Sequence, residues 1–372
     1  MYLLNELLLF LPLAVYAWYS IRRLIAKKTY KHVWTVFFLL LIAGYPVAET
    51  LSHRSANAWT RPFILAGYYA LPLLLYLTLT VVLADLIVGL ARLTKVVSKE
   101  TVQSPLFRRV RLGLLLTVPV AVVVAGIVNY HHLRVRPYQV EVPRRSSEIR
   151  QLKIVFAADF HLGSLTAGGV MDRFVAKVNA LNPDIVLIGG DVLEGHRPEE
   201  GAEKFAAPFR ELRSKYGVYA VPGNHERYGG NRDDFFARAG MTLLRDAVVK
   251  IDQAFYLAGR NDGRSRNRKS VAELLQEASA DLPVILLDHR PTDLEAASLG
   301  PVDIQLSAHT HHGQLFPMNF VTKDRYELSW GYLRKRRTHF FVTSGVQLWG
   351  PPVRTAGYSE ILDIKVVFRD GD

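Results

Sequence analysis

The sequence predicts a chain in two parts, an all-α bundle of four transmembrane helices followed by an α/β domain. Hydrophobic residues make up 49% of the 372 residues, and the mean hydropathy of +0.10 lies between values typical of soluble and of fully membrane-embedded chains. Basic charge is concentrated in the first third, and strand-like runs alternate with helical runs in the remainder. These observations predict a transmembrane domain over residues 1–129, a linker over 130–149 and an α/β domain over 150–372.

Four long apolar runs lie within the first 129 residues. They contain no Lys or Arg, and their only acids are Glu6 and Asp85. Each run is close to the roughly 20 residues that an α-helix needs to cross a bilayer. We interpret the first run as a span rather than a secretory signal, because no basic residue precedes it. The predicted spans are residues 3–21, 33–48, 62–90 and 112–128.

The distribution of positive charge predicts how these spans are oriented. Residues 1–129 hold 13 Lys and Arg against four Asp and Glu, whereas residues 130–372 hold 33 against 30. The loops after the first and third spans carry most of the excess, and basic loops of this kind stay in the cytoplasm. The sequence therefore predicts an integral protein of the plasma (inner) membrane, in contact with membrane lipids, whose C-terminal domain is extracytoplasmic. The small net charge of that domain argues against nucleic acid as a partner.

The C-terminal domain alternates apolar strand-like runs with runs of helical spacing. The predicted strands cover residues 153–157, 184–188, 217–221, 254–258, 284–287, 302–306 and 339–343, and the predicted helices cover 171–181, 202–212 and 232–239. Loops that follow the strands of an α/β domain are where residues distant in sequence meet to form a site.

Short polar clusters follow five of the predicted strands. They offer carboxylates, imidazoles and one amide, and the chain has no cysteine that could add a thiolate. Mixed nitrogen and oxygen ligands suit Mn, Fe or Zn, and this number of groups exceeds the need of one ion. Two ions about 3.5–4 Å apart require an anionic bridge, for which Asp191 is the candidate. The clusters are Asp159-Phe-His161, Gly190-Asp191, Gly223-Asn-His-Glu226, Asp288-His289 and His309-Thr-His311.

In this order, the five clusters resemble the motifs of the calcineurin-like metallophosphoesterases. The resemblance covers about residues 150–364 and extends to membrane-anchored bacterial members and to transmembrane proteins with a metallophosphoesterase domain. It implies a four-layer β-sandwich flanked by helices, and a phosphoester hydrolase that cleaves phosphodiester or pyrophosphate bonds with a metal-activated hydroxide. It also implies a bound pair of divalent metal ions. The implied ligands are Asp159, His161 and His311 for the first ion, Asn224, His289 and His309 for the second, and Asp191 as the bridge.

The resemblance gives His225 a different role from the ligands. It would lie beside the phosphate and either protonate the leaving oxygen or stabilise the charge that develops there. Ala308 and His312 depart from the family pattern, which commonly has Gly at both positions. Three further polar residues lie beside the clusters in sequence, and a structural role and a substrate-adjacent role are both open for them. They are Glu194, His196 and Glu226.

Three functions are compatible with these residues. A phosphoesterase held at a membrane favours a lipid-linked phosphoester as substrate, although soluble nucleotides or nucleic acid are an alternative. A membrane sensor that binds phosphate ligands without turnover is the third possibility. Two basic runs, residues 264–269 and 334–337, are interpreted as solvated loops or as contacts with lipid headgroups or a substrate phosphate.

Overall fold

The structure is a computed structural model that describes residues 2–194, 202–228, 233–279 and 281–370. The side chains of residues 2–10, 55, 202, 228 and 277 are not part of this description, and His196 lies outside the described residues. The chain divides into two compact units. One comprises Met1–Val128 with Gly350–Thr355, and the other comprises Asn129–Trp349 with Ala356–Asp372.

The first unit is helical, with a helix over each of the four apolar runs. Its helices are α1 (Tyr2–Leu24), α2 (Lys28–Ser55), α3 (Arg61–Leu93), α4 (Lys99–Gln103) and α5 (Pro105–His131). Among the described residues, α2, α3 and α5 are long and apolar enough to cross a membrane. The first predicted span falls in α1, whose first side chains are not described, so that span stays a prediction.

Close backbone contact and one half-buried polar cluster hold the helices of this unit together. A Cβ atom on Gly67 of α3 would lie 2.3 Å from the carbonyl oxygen of Gly44 in α2, so the two helices meet where neither has a side chain. Asp85 of α3 accepts a hydrogen bond from the Tyr16 hydroxyl at 2.6 Å and forms an ion pair with Arg111 of α5. Asp85 therefore links three helices.

The segment Gly350–Thr355 belongs to the helical unit, although the sequence prediction included it in the α/β domain. The backbone N–H of Arg354 donates to the carbonyl of Gly126 in α5 at 3.1 Å. A Cβ on Gly126 would lie 2.6 Å from Cγ1 of Val353, so the segment packs directly on the helix backbone. Thr355 also hydrogen-bonds Tyr76 of α3.

Two six-stranded sheets form the centre of the second unit. The first has the order β1 (Arg134–Pro143), β12 (Glu360–Arg369), β2 (Gln151–Ala157), β3 (Ile185–Ile188), β4 (Val218–Ala220) and β5 (Thr242–Leu243). The second has the order β10 (Gly331–Lys335), β11 (Thr338–Val342), β9 (Ile304–Ser307), β8 (Val284–Leu287), β7 (Phe255–Gly259) and β6 (Ala247–Ile251). Strands β2 to β5 are parallel, and so are β7, β8, β9 and β11. The carboxyl ends of the parallel strands therefore lie together at one end of each sheet.

Helices cover the outer face of each sheet and complete the four layers. Phe156 and Leu287 are fully buried in the core between the sheets, where each contributes about 1.5–3 kcal/mol through burial. Phe174 lies in the core between the first sheet and its helices, and Leu274 in the core on the second sheet. This architecture confirms the predicted sandwich. The helices of the unit are α6 (Val170–Ala180), α7 (Ala202–Phe209), α8 (Asn224–Tyr228), α9 (Asp233–Arg238), α10 (Val271–Leu274), α11 (Leu294–Leu299) and α12 (Met318–Arg325).

The prediction of a linker over residues 130–149 is wrong for most of that stretch. It contains β1, which pairs in parallel with β12 from Arg134 opposite Glu360 to Pro143 opposite Arg369. Val142 of β1 is 1% exposed and belongs to the core between the sheets. The prolines that indicated a linker are compatible with β1 because it is an edge strand, where a missing backbone donor costs no ladder hydrogen bond.

Candidate metal centre

Every predicted site residue lies just after the carboxyl end of a parallel strand. Because both sheets contribute such strands, loops that are far apart in sequence converge there. Asp159 and His161 follow β2, Asp191 follows β3, Asn224 and His225 follow β4, His289 follows β8, and His309 and His311 follow β9.

The first group that could hold a cation consists of Asp159, His161 and His311. One ligand atom from each lies within 4.8 Å of the others. The Nε2 atoms of His161 and His311 are 3.2 Å apart, which matches the about 3.0–3.4 Å expected of neighbouring ligands about 2.1 Å from a common cation. Oδ1 of Asp159 is buried and has no hydrogen-bond partner among the described residues. These donors fit a divalent metal ion.

The second group consists of Asp191, His289 and His309, again with ligand atoms within 4.8 Å of one another. Nδ1 of His289 lies 2.7 Å from the carbonyl oxygen of Gly189, which can only accept a hydrogen bond. Nδ1 therefore carries a proton, which leaves Nε2, 3.2 Å from Oδ2 of Asp191, as the ring atom that would face a cation. Asn224 adds a buried Oδ1 that lacks a hydrogen-bond partner in the described part of the chain.

Asp191 lies between the two groups. Its Oδ2 is 4.0 Å from Nε2 of His161 in the first group and 3.2 Å from Nε2 of His289 in the second. Its Oδ1 accepts a hydrogen bond from the backbone N–H of His225 at 2.8 Å. The side chain is 1% exposed, so two sets of imidazoles share one buried carboxylate.

Glu194 orients two imidazoles of the site. Its Oε2 lies 2.6 Å from Nδ1 of His161, and its Oε1 lies 3.2 Å from Nδ1 of His225. The first contact leaves Nε2 of His161 as the metal-facing atom. Burial lowers the pKa of His225, but the hydrogen bond that His225 donates to Glu194 and the charge of Asp191 raise it more, to about 9. His225 is therefore held as a cation and presents Nε2–H as a donor.

Glu226 fixes the position of Asp191. The Glu226 carboxylate is 1% exposed and accepts hydrogen bonds from four backbone N–H groups. The donors are Gly223 at 2.7 Å, Val192 at 2.8 Å, Asp191 at 2.9 Å and Leu193 at 3.2 Å. These contacts join the loop after β3 to the loop after β4, so Glu226 is a positioning residue.

Gly223 permits this close approach of the two loops. A Cβ at this position would lie 2.1 Å from Oδ1 of Asp191 and 2.4 Å from its backbone nitrogen. Any other residue would displace the shared carboxylate.

The backbone at the site is held in unfavourable conformations. Left-handed backbone is uncommon outside glycine, costs free energy and concentrates at functional sites. The residues with positive φ include Asp159 (54°), His161 (45°), Asp191 (50°), His309 (71°) and His311 (47°).

The electrostatics of the site also suit bound cations. Burial raises the pKa of Asp159 to about 6, and the nearby charge of Asp191 contributes to the rise. Burial lowers the pKa of His309 to about 3, assisted by the positive charges of His289 and Arg290. His309 is therefore neutral near pH 7, which is the form of imidazole that binds a metal.

The two departures from the family pattern leave the site intact. Ala308 is fully buried. His312 is 6% exposed, and its ring packs 4.8 Å from the ring of Trp330. The additional imidazole, that of His312, therefore packs against Trp330.

The fold and this arrangement of Asp and His side chains define a class of metal-binding α/β sandwich hydrolases. Residues 152–313 match the family model described as calcineurin-like phosphoesterase. The chain is 31% identical over 301 residues to a Danio rerio protein named transmembrane protein with metallophosphoesterase domain, an alignment that covers 74% of this chain and 68% of that protein. The chain therefore belongs to the calcineurin-like metallophosphoesterases, a family of metal-binding phosphoester hydrolases.

Bacterial relatives are similar over different shares of the chain. An uncharacterised metallophosphoesterase of Campylobacter jejuni is 29% identical over 359 residues, covering 92% of this chain and 93% of that protein. One from Helicobacter pylori is 33% identical over 226 residues, covering 59% of this chain and 60% of that protein. The alignment with the latter thus spans about 60% of its length.

Proposed function

We propose that the chain is a membrane-anchored phosphoester hydrolase that uses two divalent metal ions to cleave phosphodiester or pyrophosphate bonds. The observation that carries this proposal is the position of Asp191, a buried carboxylate within reach of two separate groups of imidazoles. One cation would use only part of these donors.

The proposed ligands follow the two groups of the site. Their nitrogen and oxygen atoms suit Mn, Fe or Zn. When bound, such ions supply activation of a water molecule near neutral pH and neutralisation of phosphate oxygens. Asp159, His161 and His311 would hold one ion, Asn224, His289 and His309 the other, and Asp191 would contact both.

The remaining site residues supply a proton to the leaving group or orient the metal ligands. His225 would donate the Nε2 proton to the leaving oxygen as negative charge develops there, a step for which a positioned acid is needed. Glu194 holds that imidazole and His161 in place, and Glu226 holds the loop that carries Asp191.

The membrane helices support a substrate at a membrane surface. Three apolar helices in the same chain would confine the hydrolase to the bilayer, where lipid-linked phosphoesters are concentrated. We propose that these are its substrates and that the domain lies outside the cytoplasm, as the basic loops indicate. Soluble nucleotides are the competing substrate class.

Hydrolysis by the full chain in detergent tests the proposal. Bis(4-nitrophenyl) phosphate, a soluble dinucleotide and a lipid phosphodiester would be assayed with Mn²⁺ and with a chelator. We expect metal-dependent turnover that is lost in Asp191→Ala and retained in Asp172→Asn, whose side chain is exposed on α6. Phosphate binding without turnover of any substrate would instead favour a sensor, and turnover of the dinucleotide alone would exclude the lipid-linked class.

A further inference from the structure

The two basic runs of the sequence lie at opposite ends of the second sheet. Residues 264–269 follow β7, which runs parallel to β8, so they leave the sheet at the end where His289 lies. Residues 334–337 cover the end of β10 and the turn that precedes β11, which runs parallel to β9, so they lie at the other end. Only the first run is at the end that carries the metal centre.

Contacts join this run, together with Asp262 just before it, to two other loops of the site. Arg290 directly follows His289, and its Nε donates to Oδ1 of Asp262 at 2.8 Å. Arg227 lies two residues after His225 and donates to the carbonyl of Arg264. We call the resulting group the arginine rim, and it consists of Arg227, Arg264, Arg266, Arg268 and Arg290.

The rim keeps positive charge after its ion pairs are considered. Arg268 pairs with Asp288, and Arg290 pairs with Asp262. Asp288 is shared with Arg260, which pairs with it at 2.8 Å and also pairs with Asp293 at 3.0 Å, so two carboxylates there balance two guanidinium groups. Two further guanidinium groups, those of Arg227 and Arg266, are on exposed side chains and form no ion pair within the described residues.

Two rim donors, Nε of Arg268 and Nη2 of Arg290, are buried and have no acceptor among the described residues. Nη2 of Arg290 has no hydrogen-bond partner among the described residues, as is also true of Oδ1 of Asp159 and Oδ1 of Asn224. A buried guanidinium N–H without a partner is costly, and the acceptor that suits it best is an anion such as a phosphate oxygen.

We propose that the arginine rim binds a second phosphate group of the substrate, next to the phosphate held at the metal centre. The preferred substrates are then diphosphate diesters rather than diesters with a single phosphate, an inference that rests on the proposed hydrolase function. Water adds its oxygen to one phosphorus, the bridging oxygen departs with the other phosphate, and the two protons of the water are distributed over the two monoester products. The rim stabilises the charge on the departing phosphate.

A pair of matched substrates tests this assignment on the full chain. Bis(4-nitrophenyl) diphosphate and bis(4-nitrophenyl) phosphate differ by one phosphate, and their products are separable by chromatography. For Arg227→Gln with Arg266→Gln, we expect kcat/KM for the diphosphate to fall at least about tenfold while that for the monophosphate changes less than about twofold. Arg334→Gln, in the basic run at the other end of the sheet, is the matched control and should alter neither value.

Three results would overturn the assignment and leave the hydrolase function standing. The first is an equal loss on both substrates, and the second is no loss on either. The third is unchanged diphosphate kinetics combined with weaker association of the double variant with vesicles of phosphatidylcholine and phosphatidylglycerol, which would assign the rim to lipid headgroups. Failure of the wild-type chain to hydrolyse either compound would refute the hydrolase function itself.

Discussion

Two buried aspartates beside the ends of β9 differ in how their charge is satisfied. Asp303 precedes β9 and accepts hydrogen bonds from both Nη atoms of Arg145 and from the backbone N–H of Val284, each at 2.8 Å. Asp159 lies at the other end, where its Oδ2 accepts one bond from the backbone N–H of His309 at 3.2 Å and its Oδ1 accepts none in the described part of the chain. The protein itself supplies hydrogen-bond donors and a positive charge to Asp303. Asp159 has too few such partners, so its carboxylate suits a bound cation.

Burial of an acid does not by itself indicate function. Both aspartates are at most 1% exposed. What separates them is the partner, a guanidinium at one end and two buried imidazoles whose Nε2 atoms face each other at the other. Mutation at the Asp303 end of β9 should therefore lower the stability of the fold, and mutation at the Asp159 end should lower catalytic activity.

The largest effect is expected from Asp191→Ala. Removal of the carboxylate that both groups share should abolish detectable phosphodiester turnover, while the thermal unfolding temperature stays near that of the wild type because a strained and charged position is relieved. Turnover and differential scanning fluorimetry would be measured on the same preparation. Residual activity above about a tenth of the wild-type value would show that Asp191 is dispensable.

His225→Ala should reduce kcat by about 10²–10⁴-fold, the range for loss of a general acid. Metal content should be unchanged if Glu194 alone holds this imidazole through Nδ1. The test is needed because His225 also forms a third group with His161 and Asp191, whose ligand atoms lie within 4.8 Å of one another. Kinetics and elemental analysis of the variant distinguish the roles. Loss of metal together with activity would make His225 a ligand and contradict its assignment.

Asp303→Ala should affect the other end of the sheet and leave the chemistry alone. It leaves the Arg145 guanidinium without its buried partner and should lower the free energy of unfolding by about 3–5 kcal/mol. Chemical denaturation measures the loss, and Asp172→Ala on an exposed helix face is the control. Activity per folded molecule should stay near the wild-type value. A large fall in this activity would mean that the Asp303 end of β9 influences the metal centre.

Glu194→Gln should give the smallest effect of the four. The amide keeps the shape but weakens the contact that orients His161 and His225, and outer contacts of this kind change metal affinity by about 10–100-fold. Titration of the metal-free chain with Mn²⁺, followed by activity, measures the change. An affinity equal to that of the wild type would leave Glu194 with no part in metal binding.

The parts of the structure that sequence predicted are those with a local pattern. The strands that precede Asp159, Asp191 and His289 are largely apolar, and a polar cluster follows each, so both the strand and its end are visible in sequence. Because parallel strands end together, convergence of the clusters follows from fold class alone. For this reason the structure brings the predicted site residues to one place.

The parts that sequence did not predict depend on partners far away in the chain. The strand β1 contains two prolines and two arginines, and it is recognisable only through its pairing with β12 more than 200 residues later. The role of Glu226 depends on backbone amides of the loop after β3, which have no side-chain pattern. The two basic runs are alike in composition, and only strand direction separates them.

A count of bound metal ions tests the two-metal proposal most directly. The full chain would be purified in detergent, incubated with Mn²⁺, freed of excess metal by gel filtration and analysed for metal per chain alongside Asp191→Ala. We predict two ions per chain in the wild type and at most one in the variant. A wild type that holds no more than one ion, or a variant that still holds two, would contradict the shared role of Asp191.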